Sequence, residues 1–230
     1  MAITLYDLAG AEPERRFSPF CWRTKMALAH KGLAVEAIPW RFVDKPKIAF
    51  ANSERVPVIV DNGRPVADSW AIACYLEDTY GERPTLFGGD AGRALAFFVN
   101  EWANATLSPA IARMIVCDIF DHLDLGDRDY FRETREKVLG MRLEDTRAGR
   151  EARLEPFRQS LAPMRRALAA NPFLGGAAPL YPDYVVFGTM QWARAISPFV
   201  LLERDDPVNL WRERMLDAFD GLGRKAPGYW

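Results

Sequence analysis

The chain has 230 residues, enough for one or two domains with a real core, and its 49% apolar and 27% charged content is that of a soluble globular protein. Lys and Arg number 30 against 31 Asp and Glu, a formal net charge of −1, which gives no electrostatic case for nucleic acid or an anionic membrane as partner. No apolar run approaches bilayer length, and the N-terminus lacks the basic-then-apolar pattern of a signal peptide. Cys21, Cys74 and Cys117 are an odd set without paired spacing, so reduced thiols in a cytoplasm fit better than a disulfide scaffold. His30 and His122 neighbour no cysteine pair, so no zinc pattern is present and no metal is expected.

Ile3 to Tyr6 is a short strand candidate, followed by a polar loop. Ser18 is then a favoured N-cap, Pro19 suits the first helical position, and Phe17 and Trp22 stand where a hydrophobic staple would close. A hydroxyl is thereby set on unpaired N–H groups at the positive end of a helix, a place for a thiolate or carboxylate. Taken alone, these residues equally describe a well-capped helix. His30-Lys31-Gly32 ends it, with a glycine free to take the left-handed cap. Val35 to Trp40 is a second strand, and 41–55 is polar and irregular, with a short helix near Lys47 to Ala51.

Asn62-Gly63 is the preferred type I′ turn, so two antiparallel strands meet there, and Pro57 before the first of them suits an edge or a special turn. Asp68-Ser69 cap a helix with Ile72, Ala73, Leu76 and Tyr80 on one face, and Gly81 lies just beyond it. The order βαβαββα makes a small α/β domain over 1–83, with 84–92 as linker. From 93 to 230 the apolar spacing is helical only: Leu95, Phe98 and Trp102, later Leu154, Phe157 and Leu161, then Trp211, Met215 and Phe219.

On these features the whole chain resembles the cytosolic glutathione transferases, whose layout is a thioredoxin-like βαβαββα domain joined to an all-helical one. The most specific parts are Ser18-Pro19, Val56-Pro57 and Asp68-Ser69. Ser18-Pro19-x-x-Trp22-Arg23-Thr24-Lys25, the stretch Ser53 to Asp61, and Asp217 to Arg224 look closest to bacterial β-etherase-like members and their fungal relatives. The resemblance implies that Ser18 faces the glutathione sulfur and favours its thiolate. It implies a cis Val56–Pro57 bond, with the Val56 main chain paired to the cysteinyl residue. Ser69 would hold the γ-glutamyl carboxylate, Asp68 the amino group, and Arg55, with Lys45, the glycyl carboxylate. Glutathione is then the co-substrate and a small apolar, aromatic electrophile the partner, with β-aryl ether cleavage as one outcome. Detoxification, a cytoplasmic setting and a homodimer follow from the family.

Cys21 brings in an alternative, because Ser18-Pro19-Phe20-Cys21 looks like a redox Cys-x-x-Cys whose first cysteine is serine. On that reading the protein is a glutathione-dependent thiol-disulfide reductase using Cys21. A third reading is a non-catalytic glutathione- or hydrophobe-binding protein of the same fold. At Leu180-Tyr181-Pro182-Asp183 the family's Ser or Thr is replaced by Leu180, which leaves half a capping box. The acidic run Asp118, Asp121, Asp124, Asp127 and Asp129 lacks an EF-hand's glycine and glutamate, so it is expected to be a solvated turn. Arg147, Arg150, Arg153, Arg165 and Arg166 are expected on exposed helix faces, Cys74 and Cys117 in the core, and Ile111, Met114 and Ile115 along a pocket for the apolar substrate.

Overall fold

The structure is a computed structural model and describes residues 2–230. β1 (Ile3–Leu8) and β2 (Val35–Trp40) run parallel, joined by the crossover helix α1 (Pro19–His30). β3 (Val58–Asp61) pairs antiparallel with β1, and β4 (Arg64–Ala67) with β3, giving the order β2-β1-β3-β4. Asn62 and Gly63 both take positive φ, 47° and 81°, as the tight hairpin between β3 and β4 requires. β3 is therefore an interior strand, and Pro57 stands before it rather than on an edge. The Val56–Pro57 peptide is cis, so the turn is the special one of the two alternatives.

Between β2 and β3 the chain winds as a 3₁₀ segment, Phe42–Ala51, which starts five residues earlier than the short helix expected from 47. Asp44 anchors it: its carboxylate accepts the Arg41 N–H at 3.1 Å and its carbonyl the Trp40 indole N–H at 2.9 Å. α2 (Ser69–Thr79) closes the α/β part. α3 (Asp90–Trp102) then begins inside the stretch expected as linker, and passes through a π-helical turn (Ala103–Leu107) into α4 (Ser108–Asp121) as one rod. α5 (Leu125–Leu139), α6 (Leu143–Arg147), α7 (Glu151–Ser160), α8 (Ala162–Ala170), α9 (Tyr181–Ile196) and α10 (Pro207–Gly221) follow. Among the described residues no helix is long and apolar enough to cross a membrane.

α9 is buried almost all round and lies along α1. The close approach needs Gly188, since a Cβ there would stand 2.4 Å from the Pro19 carbonyl oxygen. Asp183 replaces the missing half-box with a wider net, accepting N–H groups from Leu174 and Gly175 at 2.8 Å, Leu180 at 3.1 Å and the Trp211 indole at 2.8 Å.

The acidic run is only in part the solvated turn expected: Asp121 and Asp129 are exposed, whereas Asp118 and Asp127 are not. Asp118 is buried and accepts from Ser197 Oγ at 2.5 Å while pairing with Arg147 and Arg150 at 2.8 and 2.7 Å. Asp127 is wholly buried and accepts the Val43 N–H at 2.9 Å, and Asp124 caps α5. Several of the arginines expected on open faces are the partners of such acids: Arg147 and Arg150 pair with Asp118, and Arg165 bridges from α8 to Asp206 at 2.6 Å, while Arg153 donates to the Thr146 carbonyl. Cys117 is buried in the core, whereas Cys74 is half-buried at its margin. Ile111, Met114 and Ile115 are consumed by packing in the core, so they do not line an open pocket.

Candidate active site

Three chain segments meet at one end of the sheet. Phe17 N–H bonds to the Leu8 carbonyl at 3.3 Å, which puts the start of α1 beside the C-terminal end of β1. Val58 pairs with Tyr6 across the same end of β1, so Val56 and Pro57 lie next to it. Asp68 N–H bonds to the Pro57 carbonyl at 3.3 Å and seats the start of α2 against the turn. Ser18, Val56-Pro57 and Asp68-Ser69, distant in sequence, thus come together through the strand pairing.

At the first of these, Ser18 is nearly buried, and its Oγ accepts the Cys21 N–H at 3.2 Å. The Trp22 N–H goes to the Ser18 carbonyl at 3.1 Å, and Pro19 has none, which leaves the Phe20 N–H as the open donor of the first turn. Among the described residues no protein group accepts the Ser18 hydroxyl proton. The serine is therefore a donor held in place by its own lone pair, at a helix end that favours negative charge.

Cys21 is different. Its side chain has no exposure, its Sγ faces the Tyr6 carbonyl at 4.0 Å, and burial together with the buried Asp7 carboxylate drives its thiol pKa far up. The Ser18 hydroxyl and Lys25 pull the other way and lose. Lys25 is itself engaged, 2.9 Å from Asp7 and 3.6 Å above the Trp22 ring. A thiol so held is neither ionised nor reachable.

At the second segment, Val56 is half-buried, and among the described residues its N–H and carbonyl make no bond within the chain, unlike those of the strand that follows. At the third, the Asp68 Oδ1 accepts both the Trp70 and the Ala71 N–H at 3.0 Å, while its main chain takes φ 77° and ψ 130°, a strained conformation for a non-glycine residue. Ser69 is buried, yet among the described residues neither its N–H nor its hydroxyl has a partner within the chain. An amide and a hydroxyl side by side at a helix N-terminus fit a carboxylate.

Arg55 is exposed and has no ion-pair partner among the described residues, and Lys45 pairs with Glu54 at 3.2 Å. A pocket of about 490 Å³ opens beside Lys45, Asn52 and Ser53. Two neighbours of the site were invisible in local pattern. Tyr181, from the helical part, donates its hydroxyl to the Ser69 carbonyl at 2.9 Å. Arg23 is buried under the Phe20 ring and donates to Asn100 at 2.9 Å, and burial lowers its pKa. Only their partners across the seam give these residues a role, and no spacing rule supplies those.

The N-terminal domain model of glutathione S-transferases matches residues 17–79 and the C-terminal domain model matches 94–199, together most of the chain. A glutathione S-transferase-like protein, ustS, of Aspergillus flavus is 27% identical over 64% of this chain, a match that spans 54% of its own length. The probable glutathione S-transferase GSTU6 of Oryza sativa subsp. japonica is 24% identical over 89% of this chain and 84% of its own. Among solved structures, the glutathione S-transferase CsGST63524 of Ceriporiopsis subvermispora in complex with glutathione superposes with a TM-score of 0.81 at 25% identity, over 96% of this chain and 97% of that one. Glutathione transferase GSTFuA3 of Phanerochaete chrysosporium gives 0.77 at 26%, over 96% and 92%.

Proposed function

The chain belongs to the glutathione S-transferase family, an enzyme family that takes glutathione as co-substrate, and from that premise we propose that it ionises glutathione at Ser18 and directs the thiolate at an apolar, aromatic electrophile. The observation that carries this reading is the unclaimed Ser18 proton at the start of α1. Bringing a thiol pKa from about 9 toward neutrality takes roughly 2–3 kcal/mol of preference for the charged form. A hydrogen bond to the thiolate and a helix terminus with one open N–H are together of that size. The thiol proton leaves to solvent, the sulfur lone pair forms a bond to the electrophilic carbon, and the leaving group departs with the electrons of the bond that breaks. β-Aryl ether cleavage fits this scheme, with a phenolate as leaving group.

Val56 offers its main chain to the cysteinyl residue as an added strand would, Pro57 fixing the turn. Ser69 takes the γ-glutamyl carboxylate on its N–H and hydroxyl. Asp68 keeps its second oxygen for the amino group, and Arg55 and Lys45 face the glycyl carboxylate. A cytoplasmic enzyme of detoxification, working as a homodimer, is the setting this implies. The burial of Cys21 weighs against the reductase alternative, and the donor geometry at Ser18 against a purely binding role.

The test is an ultraviolet titration of bound glutathione against pH on the parent, Ser18→Ala and Cys21→Ser, with turnover of an activated aryl halide and of a β-aryl ether dimer. Ionisation near neutrality that only Ser18→Ala abolishes, with turnover falling about 10- to 100-fold, supports the proposal. Loss of mixed-disulfide formation with oxidised glutathione in Cys21→Ser, with Ser18→Ala silent, would replace it by the reductase. Binding without thiolate or disulfide in any variant would reduce the protein to a binder.

A further inference from the structure

α5 does not stand clear of the α/β domain; it is seated on the 3₁₀ segment. Asp127 takes the Val43 N–H at 2.9 Å, Asp124 pairs with Arg41 at 2.9 Å, and the Phe42 ring lies 5.8 Å from those of both Tyr130 and Phe131. One turn on, Arg135 lies across Phe42, its guanidinium 5.3 Å from the ring centre. Its hydrogen bond goes to Thr134 Oγ1 at 2.9 Å, and among the described residues no carboxylate comes within ion-pair distance of it. By contrast Arg132, three residues earlier, is neutralised by Glu136 and Glu144. The Lys45 ammonium sits 4.7 Å above the Tyr130 ring, its one carboxylate partner being the exposed Glu54. Arg55 has none. Glu54 is the one carboxylate beside these three like charges, and burial, with the Arg55 charge adding to it, lowers the Arg135 pKa. An anion would relieve all three.

We propose that α5 supplies Arg135 to the glycyl carboxylate of bound glutathione, so that Lys45, Arg55 and Arg135 form one cationic clamp across the domain seam. This rests on the reading that Val56 pairs with the cysteinyl residue. Glycine is the next residue of the tripeptide, so its carboxylate falls about one residue's rise, roughly 3.3–3.6 Å, beyond that pairing. Arg55 directly precedes Val56 in the chain, and the 3₁₀ segment carrying Lys45 and Phe42 leads into it. The planar Arg135 fork, already ordered against Phe42, suits a carboxylate and loses little freedom on binding it. Glutathione thereby bridges both domains.

The test is calorimetric titration of the parent, Arg135→Gln and Arg135→Lys with glutathione and with its glycyl ethyl ester. The parent is expected to prefer glutathione by tenfold or more. Arg135→Gln is expected to lose most of that preference while binding the ester as the parent does, and Arg135→Lys, which keeps the charge and the fold, to retain an intermediate preference. Equal weakening toward both ligands, or no change toward either, would overturn the role of Arg135. An Arg135→Gln variant that still discriminates as fully as the parent leaves glutathione binding intact and sinks only this proposal. A parent that binds neither ligand sinks the glutathione site on which it rests as well.

Discussion

At the start of α9 the Asp183 carboxylate is wholly out of solvent and accepts four N–H groups, three from the main chain and one from the Trp211 indole. It holds the 174–180 loop, the first turn of α9 and α10 in one register. Truncation to alanine would strand four buried donors, each worth about 1–3 kcal/mol when left unpaired. Asp183→Ala is therefore expected to cost more than about 3 kcal/mol, read as a large fall in urea midpoint at unchanged slope. Asp183→Asn keeps one acceptor oxygen and should fall between. A loss below about 1 kcal/mol in the alanine variant would show that the loop and helix hold their register without this residue. The carboxylate was visible in the sequence as half a capping box; its reach to Trp211, 28 residues on, was not.

Among the elements, the α1–α9 contact carries the position of Ser18. Gly188 lets the helices touch, and a Cβ there would stand 2.4 Å from the Pro19 oxygen, 3.2 Å from Arg23 Cγ and 3.3 Å from the Arg23 nitrogen. In an open helix, glycine to alanine adds roughly 1 kcal/mol of stability. Here Gly188→Ala is expected to destabilise by about 1–3 kcal/mol through overpacking, and to push the first turn of α1 away from the sulfur. The measurable outcome is a fall in turnover and a raised pKa of bound glutathione, with no reacting group altered. Unchanged ionisation would mean that α1 holds its terminus independently of α9. The sequence made one side of this contact legible and hid the other. The α1 cap, the Asn62-Gly63 turn and the Asp68 cap are local, written within four residues, and they appear in the structure as expected. The seating of α5 on the 3₁₀ segment, the Asp118 hub and the packing of Ile111 and Ile115 depend on partners tens of residues away. Acidic and arginine-rich stretches that look solvated one at a time become ion pairs around the buried Asp118 when α4, α6 and the segment after α9 converge. The proposed binding residues were picked out by motif spacing, whereas the Arg23–Asn100 and Tyr181–Ser69 contacts and the seating of Arg135 on Phe42 cross the seam and leave no spacing to read.

For the whole molecule, α3 presents an apolar surface that the fold of a single chain leaves uncovered. α3 turns Leu95 (67% exposed), Phe97 (47%) and Phe98 (69%) to solvent, and Phe97 lies 5.0 Å from the half-buried Trp70 of α2. Three large apolar side chains within one turn of α3, beside an aromatic ring, are costly to leave wet, and they suit the homodimer proposed above. The same face borders the start of α2, where Ser69 is the proposed seat of the ligand carboxylate, so a second copy there would also stiffen the proposed glutathione site. Phe98→Glu would place a charge on the most exposed of these three side chains. Light scattering on the parent is expected to give twice the chain mass of 26.0 kDa, and on Phe98→Glu the single mass, with far-ultraviolet circular dichroism unchanged. Glutathione affinity should drop several-fold in the variant, because α2 loses its support while every binding side chain stays in place. A parent that runs as a monomer, or a variant that remains a dimer, would remove the α3 face from the assembly and leave the exposed aromatics without that role.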